Sequence, residues 1–331
     1  MIIESRAYAR AGFLGNPSDG YFGKTISIIV RNFGAHVSLY QTPELQIEPQ
    51  DEDLNIFRNI HDMIESVNLM GYYGGTRLIK AAIKKFHEYC KNSDIKLSSK
   101  NFTIRYHSSI PRQIGLAGSS AIITATMRAL MEFFQVEIPN EILPNIVLAA
   151  EVEELGINAG LQDRVIQVYE GCVYMNFDKK IFNKKKHGIY ERIDPALLPR
   201  LYIAYKTELG KVSGKVLSDI RTRYDNKEPL VIDTLNRIAE LAEEGKQALL
   251  EKDISKLNML MNENFDLRSK IMNISDSNME LVRTARSCGA SAKFTGSGGS
   301  IIGIYTNDEM LTRLAIELKK IKARVIKPYI I

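Results

Sequence analysis

The chain has 331 residues, of which 45% are hydrophobic and 25% charged, with 44 Lys and Arg against 39 Asp and Glu. That length asks for two packed domains, and no apolar run reaches the ~18 residues that span a bilayer, which argues against a membrane protein. The small basic excess sits in two clusters without a nucleic-acid motif, Lys179–Lys186 and Lys319–Arg324; this reads as solvated surface and not as a nucleic-acid face, while still favouring anionic substrates.

Met1–Arg6 lacks the basic and then apolar pattern of a signal peptide. Strands are expected at Ser5–Ala11, Thr25–Val30 and Ala35–Leu39, the last two joined by a break at Asn32-Phe33-Gly34. A helix follows over Gly75–Cys90, then a strand whose Phe102, Ile104 and Tyr106 alternate with polar residues and lead into Pro111. Ile122, Thr126, Ala129 and Phe133 mark one face of the next helix, and Pro144 suits the first turn of another that ends near Gly156. Beyond the Pro195–Pro199 connection come a buried strand, Leu201–Tyr205, and helices at Val212–Tyr224, Val231–Glu251, Ile254–Ile271 and Asn278–Cys288. A strand pair brackets the turn between Lys293 and Tyr305, and helix Asp308–Ile321 precedes a last strand, Arg324–Ile330. Strands and helices without steady βαβ alternation predict α+β domains, 1–195 and 196–331. Cys90, Cys172 and Cys288 form no CxxC, so they read as reduced, buried thiols of a cytoplasmic protein.

Three segments carry chemistry. Ile110–Ala121 runs from a strand through small residues into a helix, so its amides and the helix dipole can cradle a polyphosphate. It is not a Walker A loop, because no Lys follows the last glycine; taken alone, it is equally an ordinary helix start with a Ser cap. Glu151–Asp163 places one carboxylate at a helix end and another after the Gly156…Gly160 loop, able to share a cation and a hydroxyl. Glu153 and Glu154 read as solvated. Lys293–Ser300 is a Gly-rich hairpin, weak evidence by itself.

In this order, and with Arg6–Asp19 as a first motif, the segments resemble the GHMP kinases over nearly the whole chain. Gly12–Ser27, Gly71–Gly75, Ile110–Gln113, Gly160–Arg164 and Lys293–Gly299 are most similar to the plant-type branch that phosphorylates the anomeric (C1) hydroxyl of D-glucuronate. The resemblance implies a two-domain GHMP kinase fold, with a left-handed βαβ crossover in the N-terminal α+β domain and a ferredoxin-like C-terminal domain. It implies ATP and Mg²⁺ as well, with direct in-line transfer. Asp163 matches the catalytic aspartate and Arg10 the basic residue beside the transferred phosphate. Gly115, Leu116, Ala117, Gly118, Ser119 and Ser120 match the phosphate loop, and Ser120 and Glu151 the metal ligands. The loop is one residue longer than the common form, which leaves Ser119 and Ser120 both open as the metal hydroxyl. Asn16, Ser18, Asp19 and Asp163 match the substrate side, and Thr295, Gly296, Ser297 and Gly298 the third-motif loop.

A uronic acid also needs a cation, and Arg112, Lys206, Lys211, Lys215, Arg221 and Arg223 are candidates; Arg221 and Arg223, two apart on a helix, cannot both point inward. The adenine site is expected among 51–73, where no pattern singles out a residue. Galacturonate, another monosaccharide or mevalonate are the alternative acceptors, and a catalytically silent sensor the alternative class; the presence of both Glu151 and Asp163 speaks against the sensor. The expected partners are the sugar and ATP, with no nucleic acid or membrane, in a monomer or homodimer.

Overall fold

The structure is a computed structural model describing residues 2–50, 74–207 and 215–331, the side chains of 215–219 excepted. Most of Gly71–Gly75, the expected adenine region, and Lys211 lie outside the described residues, as does the Lys215 side chain.

The first sheet is built around one long strand. β2 (Lys24–Thr42) pairs antiparallel with β1 (Ile2–Leu14), β4 (Asn101–Ser108) and β5 (Cys172–Asn176). β3 (Gln46–Ile47) adds parallel to β4, and β6 (Ile189–Ile193) antiparallel to β5. The break expected at Asn32–Gly34 does not occur. β2 runs through it as a bulge, its partners stepping from Tyr8↔Gly34 to Ala9↔Val30. The C-terminal segment satisfies the bulged backbone: Arg31 N donates to Tyr329 O at 2.9 Å, and Tyr329 N donates to Asn32 Oδ1 at 2.7 Å. A polar Asn can thus sit inside a continuous strand because a distant segment supplies its partners.

Helices α1 (Gly75–Asn92), α2 (Gly118–Phe134), α3 (Leu143–Val152) and α4 (Gln162–Tyr169) pack with this sheet, α2 lying directly on β1 and β2. The lysine-rich segment forms a short helix, α5 (Lys179–Lys185), capped by the Asp178 side chain; Lys184 and Lys185 are exposed. The second sheet has the order β10-β7-β9-β8, from β7 (Leu201–Lys206), β8 (Lys293–Phe294), β9 (Ser300–Ile304) and β10 (Ala323–Ile326), all antiparallel. Against it pack α8 (Ile254–Ile271), α9 (Asp276–Ser287) and α10 (Asp308–Lys320), while α7 (Pro229–Leu250) lies on β2 of the first sheet and on α8, and α6 (Lys215–Asp225) packs on α7.

β7 explains why the two halves act as one body. Its side chains alternate between faces, as any strand's do. Leu201, Ile203 and Tyr205 join the large core shared with β1, β2 and α7, while Tyr202 and Ala204 join a second core with α9 and α10. A strand buried on both sides needs a continuous apolar run, which is how Leu201–Tyr205 reads. All three cysteines are buried and free. No helix among the described residues is long and apolar enough to cross a membrane.

Candidate active site

A cavity of about 750 Å³ lies where β1, the N-termini of α2 and α4, and the β8–β9 loop meet. Gly115, Leu116, Ala117, Gly118, Ser119 and Ser120 all line it. Ala117, at φ 60°, turns the chain into α2 and offers no side-chain cap. The first amides of a helix have no partner within it. The loop that leads into this helix start lines the cavity, and an anion there suits the helix dipole. Gly115, at φ 71°, is needed twice over, since a Cβ there would also stand 2.8 Å from Gly298 O. Ser120 is buried and its Oγ donates to Ala117 O at 3.2 Å; Ser119 is more exposed.

Arg10 ties the three motifs together. From β1 its Nε donates to Asp163 Oδ1 at 2.5 Å, and its Nη1 donates to Gly115 O at 2.7 Å and to Thr295 O at 2.9 Å. Asp163 stands in the first turn of α4. Burial opposes its ionisation, but the Arg10 and Arg164 guanidiniums outweigh burial and hold the carboxyl below its ordinary value. Beside it, Arg164 Nε donates to Glu151 Oε2 at 2.7 Å, Nη2 closes on the same oxygen, and Nη1 donates to Gly160 O at 2.7 Å. Both partners are nearly inaccessible. Burial works against both charges: it lifts the Glu151 carboxyl above its ordinary value against the pull of Arg164, while Glu151 and Asp163 raise the Arg164 guanidinium in spite of burial.

Nothing among the described residues bonds Glu151 Oε1, and Glu151 lines the cavity with Ser120. No cluster of three or more His, Cys, Asp or Glu able to hold a metal occurs among the described residues. One carboxylate and one hydroxyl make a partial, hard-oxygen shell. That fits Mg²⁺, which commonly takes most of its ligands from phosphates and water.

Beside Asp163, Asp19 Oδ1 and Oδ2 accept from Gln162 Nε2 at 3.1 Å and Gln162 N at 3.3 Å. Burial, with the neighbouring Asp163 charge, pushes the Asp19 carboxyl up to about 6. Asn16 lines the cavity, but its amide is engaged by Lys293 Nζ at 2.5 Å and by Phe294 O at 3.4 Å. Ser18 does not line the cavity: its hydroxyl points to Lys24 O at 2.9 Å. Of the third motif, Gly296 and Ser297 line the cavity. Thr295 and Gly298 do not, Thr295 Oγ1 bracing Gly115 O at 3.1 Å.

The expected cations separate. Arg112 and Arg221 line the cavity. Arg223 turns to Glu228, at 2.7 Å, and to Ile271 O. Lys206 pairs with Glu280 at 2.9 Å, away from the cavity. Glu153 and Glu154 face Lys84 and Lys85 on α1.

Several participants had gone without a role. Lys293 is buried and donates to Gly12 O, Asn16 Oδ1 and Phe294 O, bolting the third motif to the first. Burial, then Arg268 and Arg10, lower its pKa well below the ordinary value. On α8, Asn264 accepts from Gly15 N at 2.9 Å, and Arg268, buried, reaches the cavity wall. Their one sequence signal is position: Leu257, Met261, Asn264, Arg268 and Ile271 fall on a single helix stripe, where two polar residues replace apolar ones.

The model of the GHMP kinases N terminal domain matches residues 77–171, and that of the GHMP kinases C terminal matches 246–320. Glucuronokinase 1 of Arabidopsis thaliana is 47% identical over 306 residues, spanning 91% of this chain and 84% of that protein. Among solved structures, Lactococcus lactis galactokinase complexed with galactose superposes with a TM-score of 0.76 at 14% identity, covering 99% of this chain and 93% of its own. Methanococcus jannaschii mevalonate kinase gives 0.71 at 21% identity, covering 100% and 98%.

Proposed function

This chain belongs to the GHMP kinases, an ATP-dependent sugar kinase with the two-domain fold of that family, and from that premise we propose that it phosphorylates the C1 hydroxyl of D-glucuronate. The 47% identity to the plant glucuronokinase supports the acceptor. The carrying observation for the site is the ionised Asp163, paired to Arg10 and facing the same cavity as the uncapped start of α2.

In this reading the α2 amides and the Gly115–Ser120 loop receive the triphosphate, with preorganised donors where charge gathers in transfer. Mg²⁺, when bound, neutralises phosphate charge; Glu151 and Ser120 would hold it. Asp163 accepts a hydrogen bond from the C1 hydroxyl and aims its oxygen along the line of attack. Its low pKa makes it a weak base, so it orients first and takes the proton late, as the new P–O bond forms. Arg10 keeps Asp163 ionised and offers charge to the transferred group. Asp19, held by Gln162 beside Asp163, binds a ring hydroxyl.

A coupled ADP assay over glucuronate, galacturonate, glucose and mevalonate tests this, with ³¹P NMR of the product. The expected result is turnover of glucuronate and an anomeric phosphate. Turnover of another acceptor with none of glucuronate would replace the reading.

A further inference from the structure

Three buried arginines line the cavity. Arg10 is paired with Asp163 and Arg164 with Glu151. Arg268 forms no ion pair among the described residues; Asp19 acts on it only through space. Its Nε donates to Met272 Sδ at 2.9 Å and its Nη1 to Gly296 O at 2.7 Å, while its second terminal nitrogen has no acceptor there. The residue is 2% exposed and lies on the cavity wall. The face of its guanidinium covers the Phe294 ring at 5.3 Å, which fixes its plane. A buried, unpaired guanidinium is costly for a fold to keep, and burial, with the nearby Arg10 charge, brings its pKa down to about 10. It stays charged at neutral pH, waiting for an anion.

Its place relative to the reacting centre fits a particular anion. Arg10 hangs from Thr295 O and Arg268 from Gly296 O, the very next carbonyl. Consecutive residues stand ~3.8 Å apart. The second guanidinium is therefore one step further along the loop from Asp163, near Asp19 on the acceptor side. In a hexuronic acid the carboxylate is carried on C5, the ring carbon joined to C1 through the ring oxygen, one short step from the C1 hydroxyl.

We propose that Arg268 is the receptor for the acceptor's carboxylate, and so selects a uronic acid over the neutral hexose. This rests on the glucuronate reading above. Arg221, the other cation on the acceptor side of the wall, suits the task less: it is exposed, lies over the Tyr21 ring at 4.5 Å and gives Nη2 to Gly20 O at 2.6 Å. Arg112 belongs instead to the segment entering the phosphate loop. The fork of an arginine also matches a planar carboxylate better than a lysine does.

The test compares glucuronate with glucuronamide, which keeps the ring and loses the charge, in wild type, R268Q, R268K and R221Q. For R268Q, kcat/KM on glucuronate is expected to fall ~30–100-fold, the worth of a charged hydrogen-bonded pair, with glucuronamide changed by less than ~3-fold. The dissociation constant of a non-hydrolysable ATP analogue, read by calorimetry, should stay near wild type and certifies the fold. If R268Q does not fold, R268K decides: it should lose ~10-fold on glucuronate alone, keeping charge without the fork. Equal losses on both sugars, wild-type discrimination in the Arg268 variants, or a larger selective loss in R221Q would each overturn the assignment while wild-type turnover of glucuronate stands. Wild-type inactivity on glucuronate, beside activity on a neutral sugar, would overturn the functional reading and this assignment with it.

Discussion

Arg10 Nε and Asp163 Oδ1 stand 2.5 Å apart across 153 residues of chain, and the same guanidinium holds the Gly115 and Thr295 carbonyls. The pair therefore sets the distance between the Asp163 carboxylate and the Gly115–Ser120 loop. Asp163→Asn is expected to cut kcat ~10²-fold or more, on the scale of general-base and orienting contributions. Nucleotide affinity, measured by calorimetry, should change little. Arg10→Lys keeps a charge but cannot reach three partners from one planar group, so it too should lose kcat more than nucleotide affinity. Near-normal kcat in a folded Asp163→Asn enzyme would remove the role assigned to that carboxylate.

The Glu151–Arg164 pair predicts a stability pattern. Arg164→Met strands a buried carboxylate and is expected to cost ~3–5 kcal/mol. Adding Glu151→Gln removes that charge, so the double variant should unfold at higher denaturant than Arg164→Met alone. Urea melts of the four proteins of this cycle give the coupling directly. Glu151→Gln should also raise the Mg²⁺ concentration needed for half-maximal rate; an unchanged Mg²⁺ titration would take Glu151 out of the metal site.

Asp19 sets fold and binding against each other. Burial, then the Asp163 charge, raise its carboxyl from 3.8 to about 6, so the folded chain holds a proton that the unfolded chain releases. Stability from this group is full below 3.8 and is lost as pH rises through about 6, a change of roughly 3 kcal/mol. Asp19→Asn should melt higher than wild type at pH 7–8 and flatten the pH dependence of Tm between 4 and 6. The neutral amide is tolerated because Gln162 can turn its own amide, Ser27 Oγ serving as donor or acceptor. Acceptor binding asks for the ionised form, so wild-type kcat/KM should fall as pH drops below about 6.

Gly296 is a contact point between motifs. A Cβ there would stand 2.7 Å from Arg10 Nη1, and closer still to Gly115 O. Both are fixed, so Gly296→Ala should push Arg10 off Asp163. A misplacement of that order costs ~10²-fold in rate, measurable as kcat with Tm changed by only a few degrees.

Much of this molecule was legible in its residues. Ile254–Ile271 has the bounds the apolar stripe predicts, and Leu201–Tyr205 reads as a buried strand because five consecutive apolar residues have little other use. Asp163, Glu151 and the Gly115–Ser120 loop stand on one cavity, as their motif order implies. Periodicity and glycine spacing are local properties, and the chain carries them openly.

The rest depended on partners that no local pattern singles out. Asn32 continues a strand instead of breaking it because Tyr329 and Lys327 satisfy it. Ser18 leaves the cavity because Lys24 O takes its hydroxyl, and Arg223 leaves it because Glu228 sits five residues on. In sequence Arg268 is one more charge on an amphipathic helix; its burial against Phe294 and the Gly296 carbonyl brings it to the cavity wall. A charged side chain's role is set by what surrounds it, since burial and neighbouring charge decide whether it is solvated, paired or left waiting for a ligand. The sequence by itself determined the helices, the buried strand and the small-residue loop before α2; which carboxylates are paired, and which cation is not, was decided by the packing of α8 and the β8–β9 loop against β1.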